Sequence, residues 1–81
     1  MMVTPEQVKS YIEQNLECAK IEVIGDGQHF EALIVSASFR GKSRVQRHQL
    51  VYAGLGKRMR EEIHALSMMT LTPEEFEEQR A

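Results

Sequence analysis

The stretch Ser43–Leu66, SRVQRHQLVYAGLGKRMREEIHAL, decides how this chain folds. Ser43 can cap a helix, and Gln46, three residues on, can reach back to its backbone in the reciprocal pairing of a capping box. Val45, His48, Val51, Tyr52, Leu55 and Met59 then recur at three- and four-residue steps. That spacing predicts one long helix over most of the stretch, with these six residues on one face. Arg44, Arg47, Lys57 and Arg58 fall on the opposite side. Gly54 and Gly56 lie inside the run, and each costs about 1 kcal/mol relative to alanine. Either a neighbour packs closely there or the helix is locally weak. The stretch ends by delivering His64 to the start of the next apolar run.

Upstream, Thr4-Pro5-Glu6-Gln7 carries a cap, a proline at the first helical position and a second capping-box glutamine. Val8, Tyr11, Ile12 and Leu16 follow on one face of that helix. Lys20–Ile24 alternates apolar and polar at Ile21 and Val23, as a strand does. Gly25-Asp26-Gly27 favours the left-handed conformations of a hairpin turn. In His29–Ala37 the run Ala32–Val35 is apolar on both faces, which predicts a strand that is central in its sheet or covered on both sides. Ser38–Lys42 is a basic loop. Ile63–Leu71 is a third strand, and Thr72-Pro73-Glu74-Glu75 repeats the helix-start pattern of Thr4–Gln7, so a short final helix begins there with Phe76 as its anchor.

The order is helix, strand, strand, helix, strand, short helix. The first two strands form a hairpin. A helical crossover joins the second to the third, which makes those two parallel if they are neighbours. The fold class is therefore α+β, a small sandwich with helices on one face of a three-stranded mixed sheet. Parallel strands start at the same end of a sheet. His29 and His64 stand at the starts of strands two and three, so this topology gathers two imidazoles at one edge.

With 81 residues the chain reads as one domain, residues 1–81, with a stability of about 4–12 kcal/mol. No apolar run reaches membrane-spanning length, and MMVTPEQVKS lacks the regions of a signal peptide. The one cysteine, Cys18, cannot close an internal disulfide, which suits a reducing cytoplasm. The net charge of −2 is unevenly spread. From Ala32 to Arg60 there is no acidic residue, while Arg40, Lys42, Arg44 and Arg47 precede or open the long helix; Glu74, Glu75, Glu77 and Glu78 crowd the tail. This pattern fits either a solvated surface or a basic patch for a protein or nucleic-acid partner.

Chemical motifs are sparse. Gly41-Lys42-Ser43 would end a phosphate-binding loop, but Ser36 stands where that loop needs its first glycine. No nucleophile has an identifiable base, so the chain does not read as an enzyme. His48, on the expected apolar face, reads as a near-core histidine held by a backbone carbonyl. Cys18 reads as a helix-end packing residue and Met68-Met69 as core. His29 and His64 together could give two nitrogen ligands to a soft or borderline metal. Two ligands do not close a site; a partner's thiolates would complete it.

Gly25–Phe30, Ile34-Val35-Ser36 with Phe39 and Gly41, Arg47–Tyr52, Ile63–Ser67 and Thr70–Pro73 together resemble the BolA family, in particular its bacterial IbaG (YrbA) branch. The resemblance spans nearly the whole chain; Phe76 near a position where many members carry tryptophan is a small departure. It implies an αββαβ fold similar to the type II KH domain. It also implies partnership with a monothiol, CGFS-type glutaredoxin through a bridging [2Fe-2S] cluster. The glutaredoxin cysteine and glutathione would supply sulfur; His64 of the His-Ala-Leu motif, and His29 from the hairpin region, would supply nitrogen. The KH-like fold implies an alternative, nucleic-acid binding and transcriptional regulation through Arg40, Lys42, Arg44 and Arg47, although the KH Gly-x-x-Gly clamp is missing. A third option is docking of glutaredoxin on the basic face without a cluster. Weak homodimer formation stays open.

Overall fold

The computed structural model describes residues 3–57, 59, 63 and 65–80, with Arg80 seen by its backbone alone. Its elements are α1 (Pro5–Asn15), β1 (Lys20–Gly25), β2 (His29–Val35), a 3-10 turn (Ala37–Phe39), α2 (Arg44–Leu55), β3 (Ala65–Leu71) and α3 (Pro73–Arg80). Each of the three helix starts closes a reciprocal capping box, Thr4 with Gln7, Ser43 with Gln46 and Thr72 with Glu75. Such caps stabilise a helix start by about 1 kcal/mol each.

The sheet has the order β1-β2-β3. β1 and β2 are antiparallel, with Ile21 opposite Ile34 and Gly25 opposite Phe30. β2 and β3 are parallel, with His29 opposite Ala65 and Val35 opposite Leu71. The expected hairpin, crossover and central second strand are all present. Alternation assigns the faces. Ile21, Phe30, Ala32 and Ile34 join Val8 and Ile12 of α1 and Val51 and Leu55 of α2 in one buried core. On the other face Leu33 is only half-buried, and with Glu22, Ile24, Glu31 and Met69 it lines a shallow groove. β2 is therefore central, yet not covered on both sides along its whole length. Among the described residues no helix is long and apolar enough to cross a membrane.

Two expectations for the long helix need correction. α2 ends at Leu55, because Gly56 takes a positive φ of 57° and its N–H bonds back to the Tyr52 carbonyl. Glycine adopts that conformation without the steric penalty other residues meet. Gly54 marks close packing, since a Cβ there would stand 2.9 Å from Asn15 Cβ, and Asn15 Nδ2 donates to the Gly54 carbonyl. The buried stripe is also turned from the expected one. Val45 and Tyr52 are exposed, whereas Arg47, Leu50, Val51, Gly54 and Leu55 are buried or half-buried. Those five follow the i, i+3, i+4, i+7, i+8 pattern of a core-facing helix. The stripe includes an arginine, which is why apolar spacing alone misplaces it. β3 begins at Ala65, two residues later than expected; Ile63 precedes it and is buried.

Candidate functional site

His29 is held in place from its own turn. Asp26 Oδ1 accepts the backbone N–H groups of Gln28 and His29, both at 2.9 Å, and the Asp26 N–H donates to the His29 carbonyl at 3.2 Å. These two backbone donors hold the Asp26 carboxyl below its ordinary pKa, His29 first and Gln28 second. Gly25, across the ladder, leaves no room for a side chain. A Cβ there would stand 2.5 Å from the His29 carbonyl oxygen and 2.6 Å from Phe30 Cδ1. Phe30 is buried in the core while His29, the preceding residue, is exposed. The main chain of His29 is thus fixed from both sides and its ring is left to solvent.

The adjacent, parallel arrangement of β2 and β3 that the two-histidine expectation requires is present. His29 pairs with Ala65. His64 itself lies outside the described residues, and so do Arg58 and Arg60. Among the described residues no three His, Cys, Asp or Glu side chains gather as a metal-binding group. Cys18 is at the other end of the sheet, since the Ala19 N–H bonds the carbonyl of Val35. From Val35 to His29 the strand runs roughly 20 Å. The thiol is half-buried against the Leu16 carbonyl, and burial, then Glu13, raises its pKa.

The four cations expected to form a partner-binding patch divide into two kinds. Arg40 forms an exposed, two-pronged ion pair with Glu74. Arg47 is a clasp. Its Nε donates to the Lys42 carbonyl, its Nη1 to the Thr70 carbonyl, and its two Nη groups to the two carboxylate oxygens of Glu75 at 2.7 and 3.1 Å. The guanidinium also lies 5.9 Å from the centre of the buried Phe39 ring. Glu75 is held down to about 2, by the Arg47 hydrogen bonds first and the Thr72 N–H second. Charge alone does not distinguish these arginines from the exposed Lys42 and Arg44, which have no ion-pair partner among the described residues. The acidic tail was the available signal: its carboxylates complement the basic middle of the same chain.

Lys42 and Arg44 lie on the rim of a groove of about 680 Å³ between the start of α2, β3 and α3. His48 lines it too. Its ring is half-buried, and Nε2 is sealed from solvent with no hydrogen-bond partner among the described residues. The expected bond to a backbone carbonyl is not made by that nitrogen.

Comparison with known proteins gives a consistent result. The family model described as BolA-like protein matches residues 7–75. The "Acid stress protein IbaG" of Escherichia coli K12 is 35% identical over 75 residues, 91% of this chain and 89% of that protein. The "DNA-binding transcriptional regulator BolA" of Haemophilus influenzae is 44% identical over 55 residues, 68% of this chain and 53% of that protein. Among solved structures, a bolA protein homologue from Coxiella burnetii superposes with a TM-score of 0.82 at 44% identity, covering 94% of this chain and 99% of that one.

Proposed function

The chain belongs to the BolA family, and on that footing we propose that it partners a monothiol, CGFS-type glutaredoxin, the two proteins holding a [2Fe-2S] cluster between them. The observation that carries this reading is the pairing of exposed His29 with Ala65, which a single peptide bond joins to His64. In this reading His64 and His29 are the nitrogen ligands, and the glutaredoxin cysteine and glutathione supply the sulfur. The donor chemistry fits. Imidazole binds iron beside thiolate, and such mixed ligation raises the potential of the cluster that would be bound.

This chain's own residues prepare the site. Asp26 fixes the backbone of His29, so the ring is not needed to hold the turn. Phe30 anchors the next residue in the core. Cys18 takes no part, being half-buried at the far end of the sheet with a raised pKa. The role that follows is in iron-sulfur and iron homeostasis under stress, in the cytoplasm, without an enzymatic step.

The test is reconstitution with a monothiol glutaredoxin, glutathione, ferrous iron and sulfide, followed by visible absorption and circular dichroism. A heterodimer spectrum distinct from that of glutaredoxin alone is expected, reverting on His64→Ala and changing on His29→Ala. Parent-like spectra from both variants would remove the reading.

Lys42 and Arg44, on a groove rim and without an ion-pair partner among the described residues, support a second reading as a nucleic-acid-binding regulator. Arg40 and Arg47 are engaged by Glu74 and Glu75, so phosphate contacts through Lys42 and Arg44 would give a shallow salt dependence, with a slope of about −2 on a log–log plot. Absence of duplex binding at about 50 mM salt, where phosphate contacts are strongest, excludes it.

A further inference from the structure

We propose that the free edge of β3 receives an extended, acidic peptide segment of a partner protein as a fourth strand, guided by Lys42 and Arg44. Among the described residues β3 is paired on one side only, to β2. Two hydrogen bonds set the phase of its backbone. The Leu71 carbonyl accepts the Ser36 N–H, so Leu71 points toward β2. The Thr70 carbonyl accepts Arg47 Nη1 from the opposite side, so Thr70 points outward. In a parallel strand the N–H and C=O of one residue face the same neighbour, and the direction alternates along the chain. Met68 therefore presents both its backbone groups at the free edge, and Thr70 presents its N–H. A row of this kind is a template for another strand.

The surroundings select the occupant. The groove along this edge is the one rimmed by Lys42 and Arg44 and lined by His48. Those two cations have no ion-pair partner among the described residues, so they complement carboxylates. Arg47 caps the end of the edge at Thr70 and is already neutralised by Glu75. The two faces of an added strand would differ. On the face shared with α2, its side chains would meet Arg44 and His48. On the other they would continue the apolar strip of Leu33 and Met69, the latter 53% exposed. An extended segment alternating acidic and apolar residues satisfies both faces and the backbone at once. This surface is separate from the His29 edge, and the proposal does not rest on the cluster reading.

The experiment uses a fluorescein-labelled octapeptide of alternating glutamate and valine, followed by fluorescence anisotropy with the full chain. Saturable binding is expected below about 1 mM. The double variant Lys42→Glu, Arg44→Glu should weaken it by at least about tenfold; both residues are exposed, and circular dichroism verifies that the fold is kept. Two further peptides carry backbone N-methyl groups on the glutamates or on the valines. These keep the charge and block one hydrogen-bonding edge each, so one should lose binding and the other keep it. Amide exchange should slow at Met68 and Thr70 when the peptide is present. No binding, equal binding by both methylated peptides, or protection elsewhere would overturn the proposal. So would binding of a DNA duplex at Lys42 and Arg44 with none of the peptide, which would give the surface to nucleic acid.

Discussion

Replacing Gly25 by alanine tests how rigidly the head of β2 is built. The added Cβ would stand 2.5 Å from the His29 carbonyl oxygen, 2.6 Å from Phe30 Cδ1 and 3.1 Å from Phe30 Cα. The first two are about 1 Å inside ordinary van der Waals contact. Two of the three atoms belong to backbone, and the third belongs to a ring that is 1% exposed and locked in the core. No side-chain rotation relieves the clash; β1 and β2 must part where Gly25 faces Phe30. Overpacking of this kind costs about 1–3 kcal/mol, and a backbone obstacle argues for the upper half. Parting the strands also strains the bond from the Asp26 N–H to the His29 carbonyl, contributing about 1 kcal/mol more. Against this, alanine reduces the freedom of the unfolded chain by about 0.4–1 kcal/mol.

The net loss is about 2–3 kcal/mol, which in a domain of this size lowers the melting temperature by about 10–20 °C. Urea titration followed by far-ultraviolet circular dichroism measures it; the midpoint should fall with the slope unchanged. Gly56→Ala is the control. Gly56 has φ 57° and ψ −135°, outside the left-handed helical well, but among the described residues nothing lies within 4 Å of its missing Cβ, so that change costs a backbone penalty of about 1–3 kcal/mol with no clash. If Gly25→Ala unfolds at the parent's midpoint, the backbone does not make the close approach at His29, and the case for a rigidly presented imidazole fails with it.

Three further outcomes follow from the same geometry. Ser36 is fully buried, donating to the Glu17 carbonyl and accepting from the Ser38 N–H, so Ser36→Ala should cost about 2 kcal/mol in a urea titration. Glu75 titrates at about 2 in the folded protein against an ordinary 4.5. A depressed carboxylate contributes stability that is full above the unfolded value and lost as pH falls toward the folded one. Urea midpoints of Glu75→Gln should therefore lose part of the parent's decline between those two pH values. Cys18, with its pKa raised by burial, should react with a thiol-specific disulfide reagent at pH 8 several-fold more slowly in the native chain than in urea.

What could be read from the sequence was what neighbours in the chain decide. Capping boxes join residues three apart, and all three form. The Asp26 turn is equally local, and once the strands were identified, crossover geometry made β2 and β3 parallel. The misses are non-local. Arg47 looked polar from its type, yet it occupies the core-facing stripe of α2 because its partner, Glu75, arrives 28 residues later. Counting it as solvent-facing turned the predicted face of the helix. The two glycines were noticed, but only the approach of Asn15 and the positive φ of Gly56 show which one packs and which one stops the helix. For the candidate site, the pairing that brings His29 beside Ala65 follows from topology alone. The division of the cations into bound and free does not, since β3 and its turn set which carboxylates of α3 reach which arginines.

That division has a consequence for how the domain works. A set of its described side-chain links gathers where β2 and β3 end: Ser36 to Glu17, Arg40 to Glu74, and Arg47 to Glu75, Thr70 and Lys42. They tie α3, the basic loop and the first turn of α2 into one unit. At the start of the same strands the described residues place an exposed imidazole on a backbone fixed by Asp26 and Gly25. The cluster reading proposed above needs imidazole donors carried on an anchor that does not move. Stapling one end of the sheet while leaving the ring at the other end to solvent meets that need. The Asx turn before His29 serves the same end, since the Asp26 carboxylate orders the main chain by accepting two backbone N–H groups.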